Sequence, residues 1–140
     1  MNWKAAALYF AGAVTALAQT ASQATAGRAA YQAQCAGCHL PDLTGRNEAP
    51  QLSGMNFLTA WRSRTVAALI GYMQSTMPPG NRGGLGVDTY VELAAFLLEA
   101  NGARTGSQPL TATSDALIGS LADGQMPAEL RQELNQASAS

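Results

Sequence analysis

The segment Cys35-Ala36-Gly37-Cys38-His39 decides the fold, and it contains both cysteines and the single histidine of the chain. A Cys-x-x-Cys-His sequence is the attachment signature of haem c. The spacing suits this chemistry because both thiols reach the vinyl groups on one edge of the ring, while the adjacent imidazole ligates the iron. The motif therefore predicts one covalently bound haem, with Cys35 and Cys38 as tethers and His39 as an axial ligand.

Three other interpretations of this motif are weaker. A structural zinc site requires four ligands, and the chain offers three of the Cys or His type. A thioredoxin-like redox motif lies in a βαβ setting, whereas the flanking sequence has a helical pattern. A simple disulfide is the ordinary expectation for two cysteines outside the cytoplasm, but it leaves the adjacent histidine unexplained.

Methionine is the candidate for the second axial position, because the only histidine is already assigned. Met77 lies in Thr76-Met77-Pro78-Pro79-Gly80, where two prolines end a helix and stiffen the loop that follows. Met73 instead completes an apolar series at helical spacing, which predicts core packing. Met55 and Met126 have no feature that holds them near an iron. The sequence therefore assigns Met77 as the second axial ligand.

The first residues of the chain have the pattern of a secretory signal peptide. Lys4 precedes an uncharged stretch, residues 5–18, and Ala16-Leu17-Ala18 forms a cleavage site for which Ala24-Thr25-Ala26 is an alternative. A membrane anchor is disfavoured because the apolar run turns polar at Gln19, short of the roughly 20 residues that a spanning helix needs. We therefore expect a periplasmic protein with no stable membrane insertion after cleavage.

Length and charge limit the remaining possibilities. A chain of 140 residues is expected to form one domain. After residue 18 it carries seven arginines, no lysine and nine acidic residues, which gives a net charge of −2. A mildly acidic domain of this kind is a poor partner for nucleic acid or for an anionic membrane.

Helices account for the patterned parts of the chain, and no segment shows strand alternation. The sequence predicts helices over 27–34, over 65–76 with Thr65 as N-cap, and from the N-cap Asp88 to Asn101, closed by Gly102. The apolar face of the last helix comprises Tyr90, Leu93, Ala94 and Leu97. Residues 105–140 are polar and predict a partly ordered tail, whose docking contacts are Leu110, Leu117, Ile118 and Leu121.

These residues resemble class I cytochrome c over Gly27 to Gly102. The family's first helix carries a small residue and an aromatic at four-residue steps before the first cysteine, as Gly27, Tyr31 and Cys35 do here. The resemblance implies an all-α cytochrome c domain, 27–104, with three to five short helices wrapped around one haem. It also implies that the first helix crosses the last one at Leu93 and Phe96.

The same resemblance suggests residues that surround the haem. Pro50-Gln51-Leu52-Ser53-Gly54 looks like the family's Pro-x-Leu-x-Gly loop, in which the proline carbonyl accepts the imidazole N–H and tunes the iron. Packing in a turn is the alternative role for Pro50. Trp61 occupies the position at which many family members have a tryptophan that bonds a haem propionate. Packing alone also explains a tryptophan at this position. The candidate arginines for neutralising the propionates are Arg46, Arg62, Arg64 and Arg82.

More narrowly, the chain is similar to cytochrome domains that accompany quinoprotein alcohol dehydrogenases. This likeness implies a one-electron carrier, not an enzyme, that acts between a dehydrogenase and an oxidase or another cytochrome. We expect a monomer or a subunit of a complex. The alternatives are a haem c subunit fixed in a dehydrogenase or respiratory complex, and an open-site haem sensor or enzyme.

Overall fold

The protein is helical throughout the part that the computed structural model describes, residues 19–140. Seven helices follow one another there: α1 (Ala21–Gln34), α2 (Ala36–His39), α3 (Gly54–Trp61), α4 (Val66–Thr76), α5 (Val87–Ala100), α6 (Ile118–Leu121) and α7 (Ala128–Ala139). Residues 19–140 contain isolated β-bridges and no β-strand. The all-α prediction is confirmed, although the helices outnumber the three to five expected. The predicted signal peptide, residues 1–18, lies outside the described residues.

Helix α1 begins six residues before the predicted start at Gly27. A capping box fixes its first turn: the Thr20 hydroxyl accepts from the Gln23 N–H at 3.2 Å, and the Gln23 side chain accepts from the Thr20 N–H at 3.4 Å. The alanine-rich start lacks an apolar period, which explains the shorter prediction. The alternative cleavage site after Ala26 falls inside this helix.

The crossing of α1 and α5 is the main helix contact of the domain. A Cβ atom on Gly27 would overlap the backbone carbonyl of Glu92, so glycine permits the close approach of the two helices. Beside it, the rings of Tyr31 and Phe96 lie 5.3 Å apart. Phe96 is thus contacted as expected, and the atoms nearest to a Cβ at Gly27 are those of the Glu92 carbonyl and the Cβ of Phe96.

Helices α4 and α5 each begin at a defined cap residue. Thr65 caps α4 as predicted, because its hydroxyl accepts from the Ala68 N–H at 3.1 Å. The prediction that Asp88 caps α5 is wrong: Gly86 occupies that position with φ 85°, and Asp88 lies in the first turn. The helix dipole favours a carboxylate both at the N-cap and in the first turn, so Asp88 indicates the start of α5 without identifying the cap residue itself.

Residues 105–140 pack against the domain, which differs from the predicted partly ordered tail. Leu110, Ile118 and Leu134 are buried, and the backbone N–H and C=O of Leu110 both bond the Gln23 side chain at 2.9 Å. Of the other expected contacts, Leu117 is half exposed. This stretch is rich in Ser, Thr and Gln, and the leucines that the folded domain buries are widely spaced. Composition alone therefore did not reveal the packing. No helix among residues 19–140 has the length and apolar character needed to cross a membrane.

Candidate functional site

A cavity of about 780 Å³ opens between α2, α3, α4 and α5. Its volume lies within the range of small-molecule and cofactor sites, about 300–1,000 Å³. Apolar side chains form most of its wall, among them Phe57, Leu69, Leu93 and Leu97. The six residues that the sequence places at the site all line this cavity: Cys35, Cys38, His39, Pro50, Trp61 and Met77.

The two cysteines and the histidine are held by the junction of α1 and α2. The Cys35 N–H continues the hydrogen bonding of α1, and the Cys35 carbonyl accepts from the His39 N–H at 2.9 Å. Both thiols are free, with Cys38 exposed and Cys35 half-buried. Burial raises the pKa of the Cys35 thiol to about 11, and the neighbouring Cys38 adds to the effect. At neutral pH the Cys35 side chain is therefore a neutral thiol.

The imidazole of His39 is oriented by the loop that contains Pro50. His39 is buried, and its Nδ1 lies 2.8 Å from the Pro50 carbonyl oxygen. Since a carbonyl only accepts, Nδ1 carries the proton and donates it to this bond. The Nε2 lone pair is then left available for a metal, and the bond fixes the orientation of the ring.

The chain reverses direction immediately after His39. Leu40 adopts φ 68° and ψ 152°, a region that side-chain-bearing residues rarely enter. The Tyr31 hydroxyl donates to the Leu40 carbonyl at 2.7 Å and stabilises this conformation. Burial raises the pKa of Tyr31 well above its ordinary value, so the phenol keeps its proton as a donor. The strained turn therefore lies directly beside the predicted ligand.

Two methionines reach the cavity wall, Met73 and Met77. Met55 is 58% exposed, and Met126 borders a separate pocket near α7. Met73 belongs to α4 and is buried in the core, whereas Met77 follows the last residue of that helix. The Tyr90 hydroxyl donates to the Met77 carbonyl at 2.6 Å, which ties the loop to α5.

An aromatic and cationic cluster lies at the cavity wall on α3 and α4. The Arg64 guanidinium lies 4.4 Å from the centre of the Trp61 ring, and the Tyr72 ring meets Trp61 edge-on at 5.2 Å. Among the four arginines considered from the sequence, Arg64 is the one that lines the cavity in the described part of the chain. Arg46 instead donates to the Gly37 carbonyl at 2.9 Å, on the attachment segment itself.

Residues 22–97 match the family described as "Cytochrome C oxidase, cbb3-type, subunit III". The chain belongs to this family of c-type cytochromes. No curated protein and no solved structure matches it. The matched span covers α1 to α5 up to Leu97 and contains every residue that lines the cavity. As a c-type cytochrome domain, it supports electron transfer by haem.

The cavity of the cytochrome fits a haem. Both thiols, a histidine nitrogen and a thioether border one largely apolar space, and Arg64 supplies a cation for the carboxylates of the ring. Elsewhere in residues 19–140, no group of three His, Cys, Asp or Glu side chains is arranged to hold a metal ion.

Two residues of the cytochrome were not assigned a site role from the sequence. Tyr90 appeared there only as part of an apolar helix face. Asn101 appeared as a helix end, yet its side chain accepts from the Gly54 N–H at 2.9 Å and donates to the Leu52 carbonyl at 3.0 Å. It thereby fixes the loop that carries Pro50. The sequence signal that could have drawn attention to Asn101 is its position as a polar residue directly before Gly102, which closes the helix.

Proposed function

We propose that this cytochrome is a periplasmic one-electron carrier with a single covalently attached haem c, ligated by His39 and Met77. The observation that carries the proposal is the gathering of both thiols, the oriented imidazole and Met77 on one apolar cavity. When bound, the haem supplies a reversible one-electron couple.

Each side chain has a separate role in this proposal. The Cys35 and Cys38 thiols would hold the haem through thioethers, each formed by addition of S–H across a vinyl group with no leaving group. His39 would bind the iron through Nε2 while the Pro50 carbonyl holds its Nδ1–H. The Met77 thioether would be the second iron ligand, binding without loss of a proton, and the two ligands together would leave no coordination site for a substrate.

The surroundings favour a high reduction potential. Met/His ligation and a buried ring raise the potential of a haem, because a low-dielectric site disfavours the extra positive charge of the oxidised iron. Phe57, Leu69 and Leu93 contribute to the apolar wall, which lowers the local dielectric. Arg64 on the wall acts in the same direction, since its positive charge also opposes oxidation.

The proposed compartment and partners rest on the sequence. The signal-like residues 1–18 support export to the periplasm. The likeness to cytochromes that accompany quinoprotein alcohol dehydrogenases supports such a dehydrogenase as donor and an oxidase or another cytochrome as acceptor. Encounters of this kind bury less than about 1,200 Å². Because residues 19–140 lack lysine, we expect weak electrostatic steering and a weak dependence of association rate on salt.

A second candidate is a haem subunit fixed in a respiratory or dehydrogenase complex. The family description, which names a subunit of an oxidase, favours it. The C-terminal segment offers little apolar surface for such docking, because Leu110, Ile118 and Leu134 are buried within this domain.

Spectroelectrochemical titration of the protein from periplasmic extract tests the proposal. We expect one reversible one-electron wave, one haem per chain, and elution as a monomer in gel filtration. Co-elution with a larger assembly through successive purification steps would favour the fixed subunit. A multi-haem stoichiometry, or substrate-dependent spectral changes, would contradict the carrier.

A further inference from the structure

We propose that Tyr90 is a positioning residue that holds the Met77 segment closed over the cavity and so limits access of external ligands to the iron. The inference rests on the proposed His39/Met77 ligation. It assigns to one hydroxyl group the control of how readily Met77 is displaced.

Tyr90 is itself firmly held. It lies in the first turns of α5, is 1% exposed, and lines the cavity with its ring. Helix α5 is the best-anchored element of the domain because it crosses α1 along its length. The hydroxyl that reaches the Met77 carbonyl at 2.6 Å is therefore presented from a rigid support.

The segment that Tyr90 reaches has few other restraints. In residues 77–84, backbone bonds are limited to the Met77 N–H with Met73, the Asn81 N–H with Pro78, and the Gly84 N–H with Asn81. Pro78 and Pro79 have no N–H to contribute. Residues 79–84 are all exposed. Within the described chain, the Tyr90 hydroxyl makes the one side-chain hydrogen bond to this segment.

Ligand access follows from an equilibrium between closed and open forms of the segment. An external ligand binds the open form, so its apparent affinity scales with the fraction of molecules that are open. Removing one buried hydrogen bond from the closed form increases that fraction by roughly 3- to 10-fold.

The test compares imidazole binding to the oxidised, full-length holoprotein in the wild type, Tyr90→Phe and Ser75→Ala. Ser75 is the control: it lies on α4 two residues before Met77, does not line the cavity, and donates its hydroxyl to the Gly71 carbonyl at 3.0 Å instead of to the Met77 segment. We expect imidazole to bind Tyr90→Phe roughly 3- to 10-fold more tightly than wild type, with Ser75→Ala within about twofold of wild type.

The rate of binding at saturating imidazole is a second readout. It reports the opening of the segment and does not depend on how much of a variant folds. We expect this rate to rise in Tyr90→Phe alone. Unchanged affinity and rate in Tyr90→Phe, or equal changes in both variants, would overturn the assignment. A wild-type protein that lacks the thioether-to-iron absorption band would instead contradict the His39/Met77 ligation on which the inference rests.

Discussion

At the scale of single residues, the two methionines that share one cavity are expected to have different roles. Met73 is a buried residue of α4, and Met77 lies just past the end of that helix. Met77→Ala is expected to make the reduced protein bind carbon monoxide. Met73→Ala is expected to leave the iron closed and to lower the free energy of unfolding by about 2–5 kcal/mol. Carbon monoxide titration and thermal unfolding measure the two effects, and interchanged results would mean that the ligand is Met73.

Arg64 is expected to set part of the reduction potential. Both Arg64 and Arg62 are exposed, but Arg64 lines the cavity beside Trp61 and Arg62, two residues earlier, does not. Removing a nearby positive charge stabilises the oxidised iron, so Arg64→Leu is expected to lower the potential by about 10–40 mV. Arg62→Leu provides the matched control in the same titration. Equal shifts in both variants would refute a specific role for Arg64.

At the scale of elements, the crossing of α1 and α5 is the contact that fixes the domain. Gly27→Ala pushes a methyl group against the Glu92 carbonyl and is expected to cost about 1–3 kcal/mol of unfolding free energy. Gly71→Ala, in α4, is the control, because a Cβ there meets nothing within 4 Å. It is expected to be neutral or to stabilise by up to about 1 kcal/mol. Denaturant unfolding of both variants checks this, and equal costs would contradict the close-contact explanation.

The C-terminal segment is expected to stabilise the domain without shaping the haem site. The Ala116 and Ser114 carbonyls accept from the first N–H groups of α4 at 3.0 and 2.8 Å, while the last residue that lines the cavity is Leu97. Deleting residues 105–140 is therefore expected to lower the melting temperature and to leave the visible spectrum unchanged. Deleting α7 alone is expected to lower it less. An unchanged melting temperature would restore the earlier expectation of a partly ordered tail.

The sequence predicted the elements whose signals are local. Cys-x-x-Cys-His, the Thr65 cap and the proline stop after Met77 each depend on neighbours in the chain, and the structure contains the cap and the stop where expected. The start of α1 was missed because its local capping box precedes an alanine-rich turn without an apolar period. The packing of α7 and the hydrogen bonds of Asn101 depend on partners far along the chain. Periodicity and composition carry no record of such partners, and this is why they were missed.

At the scale of the whole molecule, the wall of the cavity is part of the apolar core. Without a haem, wall residues such as Leu69, Leu93 and Leu97 would be exposed to water, which is a substantial cost against the total stability of a small domain, about 5–15 kcal/mol. We therefore expect the haem-free protein to be largely unfolded. Circular dichroism of the Cys35→Ala/Cys38→Ala variant, purified without haem, measures this, and a cooperative melt equal to that of the holoprotein would contradict it.

Both axial positions of the proposed haem are expected to be filled by side chains of this chain. The visible spectrum of the full-length protein, recorded oxidised, reduced, and reduced under carbon monoxide, checks this expectation. Two filled positions give a low-spin spectrum that carbon monoxide leaves unchanged. A shift on addition of the gas to the wild-type protein would reveal an open or weakly held position and would contradict Met77 ligation.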